Sequence, residues 1–189
     1  MRESTLVEPL LHIAVPFASL RAVGLERRKA IVASAIALAP DVDLVLHVHR
    51  SLSHSFVVLA TVAVAIMAFS LLMPAAKQRT FRSVMLLGAF GVASHVVLDL
   101  FQGLTPILWP LLKDSFWIST ALRLHMGSAT AVTGSAELVV EPTLFESFTS
   151  FDAPILTPEG LGISLIILAP SLVQVLREKR AAPGKRMPR

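Results

Sequence analysis

The sequence predicts an all-α polytopic membrane protein of about five membrane segments, with a small external β element. Three observations predict it. The 189 residues are 54% hydrophobic and 16% charged, with a mean hydropathy of +0.70, whereas a soluble domain is about 45–50% apolar and about 25% charged. Several stretches approach or reach the roughly 20 apolar residues that cross the hydrocarbon as a helix. Basic residues gather at alternate boundaries between those stretches. The same composition excludes disorder. With no cysteine, a disulfide framework and thiolate-held zinc are excluded too, so any metal site must use His and carboxylates.

Leu6–Leu20 is the first segment, interrupted by His12 and Pro16. Arg2, Glu3 and Pro9 argue against reading it as a cleaved signal peptide. Ala30–Val48 is the second and carries Asp41, Asp43 and His47 in its distal part. Ser55–Met73, Ser83–Phe101 and Gly160–Leu176 are the clear ones. Leu104–Glu159 differs: it holds Pro106, Pro110, Pro142, Pro154 and Pro158 and six of the 13 acids. Alternation in Ala121–Met126 and Glu137–Glu141 predicts two short strands around Gly127–Gly134. The expected organisation is therefore a helical membrane core with a His/Asp cluster (1–112), an external cap holding a β-hairpin (113–159), a C-terminal membrane helix (160–177) and a basic cytoplasmic tail (178–189).

Arg21, Arg27, Arg28 and Lys29 lie between the first two segments, and Lys77, Arg79 and Arg82 between the third and fourth. Arg177, Lys179, Arg180, Lys185, Arg186 and Arg189 follow the fifth. Five alternating spans put all three groups on one side, which the positive-inside rule makes the cytoplasm. The expectation is a multi-pass protein of the plasma membrane, with N-terminus and cap external and C-terminus cytoplasmic. The lipid bilayer is then the partner of these cations, and no nucleic acid is expected.

Ionisable side chains inside membrane segments are costly and point to function. His12, the group Asp41, Asp43, His47, His49 and His54, and the pair His95 and Asp99 all fall toward the outer side in this topology. Each has a plainer reading. His12 alone suits helix packing, His47 and His49 suit a wet helix end, and Asp41 and Asp43 after Pro40 suit a polar exit from the membrane. The pair resists that treatment. His95 and Asp99 are four residues apart on one helix face, as a ligand pair or as a ligand with its orienting carboxylate. Together these residues predict a divalent cation held by His12, Asp41, His49, His54, His95 and Asp99. Zinc comes first, and manganese or iron suit the same donors. Asp43 is read as ligand, orienter or general base. Arg50 is read as the holder of an anionic oxygen, or as a lipid anchor. Ser53-His54-Ser55 lacks the strand–turn–helix setting of a nucleophilic serine. No GxxxxGK[ST], GxGxxG or HExxH occurs.

Pro40-Asp41-Val42-Asp43, His49-Arg50-Ser51-Leu52-Ser53-His54-Ser55 and His95-Val96-Val97-Leu98-Asp99 together resemble the membrane-bound metal-dependent hydrolase family. This is the YdjM-like group, also described as LexA-binding, inner membrane-associated hydrolases. The resemblance covers roughly Glu8–Trp117 and includes the phrase Gly103–Pro110. It implies that the family's early His, its Pro-Asp-hydrophobic-Asp, its His-Arg-x-x-x-His-Ser and its His-x-x-x-Asp fall on His12, Asp41 and Asp43, His49 and His54, and His95 and Asp99. The ligand order is also similar to that of zinc-dependent phospholipases C, although this chain lacks their N-terminal Trp. The expected function is a metal-dependent hydrolase, acting on an ester or phosphoester of a lipid-like or surface-accessible substrate at the outer membrane interface. The alternative is a non-enzymatic membrane protein whose cluster binds metal structurally or conducts protons or ions.

Overall fold

The computed structural model describes residues 8–48, 50–126, 130–145, 147–149 and 156–181. Helix α1 (Pro9–Ala22) starts on Pro9, whose fixed φ suits a first turn and whose missing N–H is needed by nothing there. The chain leaves it through Gly24 at φ +82°, a conformation open to glycine without a Cβ clash. Helix α2 (Arg27–Ile36) lasts 10 residues. Pro40 cannot join an α-helical ladder, and the chain tightens into a 3-10 helix, Ala39–Leu46. A 3-10 turn, Leu52–His54, leads into α3 (Phe56–Phe69), whose tail Ser70–Leu72 is again 3-10. Pro74 turns the chain into α4 (Ala75–Gln102), of 28 residues. Strands β1 (Asp114–His125) and β2 (Ala131–Pro142) form an antiparallel hairpin, and α5 (Pro158–Ala181) follows.

Five spans are not built. At 1.5 Å per residue, α1 and α3 reach about 21 Å and α2 about 15 Å, short of a hydrocarbon core of about 30 Å. Among the described residues only α4 and α5 are long and apolar enough to cross a membrane. The window Ala30–Val48 fails because Pro40 splits it into a short α-helix and a 3-10 helix. Ser55–Met73 fails because α3 tightens at Ser70. The fold is a five-helix α structure with two candidate spans and a two-stranded sheet, not an all-α five-span protein. Buried residues make up 28% of the apolar window of α4 and 17% of that of α5. Most of their apolar surface therefore faces outward, where the core helix of a soluble domain turns it inward.

Helix α1 packs against α2, α4 and α5, and α2 packs against α4. A small core of Leu20, Ala30 and Ala33, flanked by Phe17, Leu25 and Leu87, joins the first two helices to α4. The α2–α4 crossing is close because Gly91 faces the α2 backbone: a Cβ there would lie 2.4 Å from the Ala33 carbonyl oxygen. Small residues at such crossings let helix backbones approach.

The hairpin is longer than the two strands expected, with pairing from Asp114↔Pro142 to His125↔Ala131. Thr105 and Phe116 exchange backbone hydrogen bonds of 2.8 and 2.9 Å at its root, and Trp117 Nε1 donates to the Phe101 carbonyl. Directly paired residues share a face of the ribbon. One face carries Phe116, Ile118, Leu122 and Leu124 with their partners Val140, Leu138, Gly134 and Val132. The other carries Ser119 opposite Glu137 and Arg123 opposite Thr133.

Gly91→Ala should lower the thermal midpoint of the detergent-solubilised protein, since overpacking of this kind costs about 1–3 kcal/mol. Gly162→Ala on α5, with nothing within 4 Å of its Cβ, should hold or raise it, as helix propensity dictates. Equal midpoints for the two variants would contradict the close crossing.

Candidate metal centre

Four segments deliver the site. His95 and Asp99 lie one turn apart on the inward face of α4 and are 0% and 2% exposed. His12, 1% exposed, shares its face of α1 with buried Pro16 and Leu20. Pro16 has no N–H to give the His12 carbonyl four residues earlier. The 3-10 helix Ala39–Leu46 carries Asp41 and Asp43, and the turn Leu52–His54 carries fully buried His54. Between these two, His47 closes the first at φ 57° and Arg50 follows at φ 53°. Non-glycine residues in this left-handed region cost of order 1–3 kcal/mol each and persist only where surroundings enforce them.

Nitrogen and oxygen donors gather in two overlapping groups. His54 Nε2 lies 3.3 Å from His95 Nε2, 3.0 Å from Asp99 Oδ2 and 3.7 Å from Asp41 Oδ1. His95 Nε2 lies 3.3 Å from both Asp41 Oδ1 and Asp99 Oδ2. A tetrahedral site with ligand bonds of about 2.0–2.1 Å has donor-to-donor edges of about 3.3–3.4 Å. The spacings among Asp41, His54 and His95, whose donor atoms lie within 4.8 Å of one another, are compatible with such a cation, and imidazole with carboxylate donors suits zinc, manganese or iron. A second group, His12 with His95 and Asp99, also has donor atoms within 4.8 Å of one another. His12 Nε2 is 3.6 Å from Asp99 Oδ1, so the Asp99 carboxylate faces both groups.

Asp43 approaches His54 from the other side of the ring, with Oδ2 3.2 Å from Nδ1. The same oxygen accepts from the Ser51 backbone N–H at 2.8 Å and the Ser53 hydroxyl at 3.0 Å. Arg50 is 7% exposed, with Nη2 3.6 Å from Asp99 Oδ1. Its Nε and Nη2 are buried with no hydrogen-bond acceptor. Burial by itself would drive the proton off His54, but Asp41, Asp43 and Asp99 outweigh it and raise the pKa to about 10. Burial, helped by the charge of His95, lowers His12 to about 4. Burial would raise Asp41, yet His54 and His95 hold it below the ordinary carboxylate range. The carboxylates thus favour positive charge at His54, and a metal ion bound there would compete with a proton for Nε2.

Of the residues expected from sequence, the structure brings His12, Asp41, Asp43, Arg50, His54, His95 and Asp99 together. His49 lies outside the described residues. His47 is exposed, with its ring 5.8 Å from that of Phe148 at a tilted angle, and its side chain makes no hydrogen bond or ion pair with the cluster among the described residues. Gln102 was not expected from the sequence, and the role of Ser55, quoted in the motif, was not read from it. Gln102 extends the His95–Asp99 face by one more turn, and its amide nitrogen is 3.5 Å from His12 Nε2; the i+3 spacing from Asp99 is its signal in the sequence. Ser55 is the N-cap of α3, accepting from Val57 and Val58 N–H while donating to the Trp109 carbonyl. A serine directly before an apolar run is the signal there. The cap ties the start of α3 to the loop after α4, where Phe56 N–H also donates to the Ile107 carbonyl at 2.9 Å.

A family model described as YdjM inner membrane protein matches residues 8–143. The chain belongs to that family. The match runs past Trp117 and takes in the hairpin as well as every candidate ligand. No curated protein and no solved structure matches the chain.

His95→Ala or Asp99→Ala should strip metal from protein purified with a stoichiometric divalent ion, as read by elemental analysis. His125, exposed near the hairpin tip and bonded to Thr133 Oγ1 at 2.8 Å, should tolerate alanine with its metal content intact. The reverse pattern would place the ligands elsewhere.

Proposed function

We propose that this member of the YdjM inner membrane protein family is a metal-dependent hydrolase, acting on an ester or phosphoester at the outer membrane interface. The observation that carries this reading is that donor atoms of Asp41, His54 and His95 lie within 4.8 Å of one another, with Asp99 Oδ2 3.0 and 3.3 Å from the two imidazole nitrogens. These four hold the cation, zinc first and manganese or iron next. His12 is a further ligand through the Asp99 side of the cluster, and His49 joins the set on its motif alone. A bound divalent cation supplies Lewis acidity toward a carbonyl or phosphoryl oxygen and activates water near neutral pH.

The chain's own groups divide the remaining work. Of the roles open to Asp43 we assign that of positioning residue. Its carboxylate against Nδ1 fixes the His54 ring and directs Nε2 into the site, as carboxylate–histidine pairs do at metal centres. Arg50 offers buried N–H donors to an anionic substrate oxygen, for which a planar guanidinium is suited. Asp41, with 14% of its side chain exposed, marks the side from which substrate enters. The basic ends of α4 and α5 support a cytoplasmic placement for both, with the metal cluster and the hairpin on the outer side.

A second reading, a structural metal site, is favoured by one observation: His54 and His95 are wholly buried, whereas a catalytic metal keeps an open position. Metal stoichiometry measured beside hydrolysis of phosphoester and acyl-ester panels separates the two. The hydrolase reading expects Asp43→Asn to load at saturating metal yet turn over more slowly. It expects Arg50→Lys to keep metal and raise KM for anionic substrates without a matching fall in kcat. Wild-type protein with full metal and no turnover of any ester would leave the structural reading. A reporter inserted near Ser135 should report the outer side and one fused after Arg189 the cytoplasm; agreement between the two on one side would overturn the placement.

A further inference from the structure

The basic ends of α2 and α4 enclose a groove of about 460 Å³ that takes no part in the metal centre. Arg79 on its rim and His95 in the cluster are 16 residues apart on α4, about 24 Å along the helix. Arg28 and Lys29 from α2 and Arg79 from α4 line one part of it, beside the hydroxyls of Thr80 and Ser83. Val32, Ile36, Val84 and Leu87 form the rest of its walls. Two other cations at this end of the bundle are occupied: Arg21 donates to the Leu25 carbonyl, and Arg82 Nε donates to Ser70 Oγ at 3.0 Å. Lys29 has Glu26 at 3.8 Å. Among the described residues Arg28 and Arg79 have neither an ion pair nor a side-chain hydrogen bond.

We infer that this groove binds one anionic phospholipid, its phosphate between Arg28 and Arg79 and an acyl chain along Val32, Val84 and Leu87. Charge complementarity identifies the headgroup: two unpaired guanidiniums and two hydroxyls match phosphate oxygens. The walls identify the rest of the ligand, because a free anion gains nothing from four aliphatic side chains and an alkane gains nothing from the cations. The position suits it as well. The groove opens at the N-terminal end of a candidate span, at the level where basic pockets between membrane helices meet anionic headgroups. The inference rests on membrane placement alone and stands or falls independently of hydrolysis.

The test is native mass spectrometry of the full chain in zwitterionic detergent, offered phosphatidylglycerol and phosphatidylcholine in equal amounts. One phosphatidylglycerol per chain should be retained in preference to phosphatidylcholine. Arg28→Gln with Arg79→Gln should weaken retention about 30-fold, from the usual contribution of each basic residue near a lipid headgroup. Val84→Trp, which fills the groove from an exposed position and leaves every charge in place, should weaken it too. Arg27→Gln with Lys77→Gln removes two cations from the same end but outside the groove, and should change little. Equal loss in that control pair would show diffuse electrostatics and overturn the proposal. So would unaltered retention by Val84→Trp, or displacement of the lipid by inorganic phosphate.

Discussion

The carboxylate of Asp99 is the constraint on which the rest of the structure turns. One oxygen faces His12 and Arg50, each at 3.6 Å, and the other faces His54 at 3.0 Å and His95 at 3.3 Å. Those partners come from α1, the loop before the second 3-10 turn, the turn itself and α4. A carboxylate 2% exposed cannot be left unpaired, since removing one partner from a buried charged set costs about 3–5 kcal/mol. The helices are therefore held in register around Asp99 more firmly than their small apolar contacts alone would hold them. Alanine and glycine at the α2–α4 crossing bring backbones close but bury little side-chain area.

That demand explains the irregular backbone between Asp41 and Ser55. A continuous helix through this stretch would place Asp41 and Asp43 on different faces and carry His54 away from α4. The 3-10 helix, the left-handed His47 and Arg50, and the second 3-10 turn instead wrap the chain around one imidazole. Asp41 then reaches Nε2 of His54 while Asp43 reaches Nδ1. Strain at the two positive-φ residues is offset by ion pairs that only this path can make.

The sequence shows the donors more clearly than the architecture. His95 and Asp99 are legible because an α-helix maps a four-residue spacing directly onto one face. His12, Asp41 and His54 are legible as polar interruptions of apolar runs. How those residues meet is not, since it depends on backbone torsions at His47 and Arg50 that no periodicity encodes. The span count miscarried for a related reason. Hydropathy counts apolar residues within a window, whereas crossing a bilayer requires an unbroken helix of sufficient length. Pro40 and Ser70 break two of the five, and α1 is too short at 14 residues. Pro40 is visible as a breaker in the sequence; the tightening at Ser70 is not. The hairpin was legible where its alternation is cleanest, at Leu122–Leu124 and Leu138–Val140. Near its root, Trp117 and Phe116 meet α4 and the loop after it, and neighbouring elements complete the strand there.

Twelve residues in each strand make the hairpin about 40 Å long. Its root is fastened to the end of α4, through Thr105 and through the Phe101 carbonyl, two residues beyond Asp99. Such a ribbon is a lever with a short inner arm. A pivot of about 5° at the root sweeps the tip by about 3.5 Å over that length. The converse also holds: a broad displacement of Leu124 and Met126 is geared down to a fine one beside Gln102 and Asp99. A ribbon moving as one rigid body would deliver only a small fraction of any tip displacement to the carboxylate's end of α4.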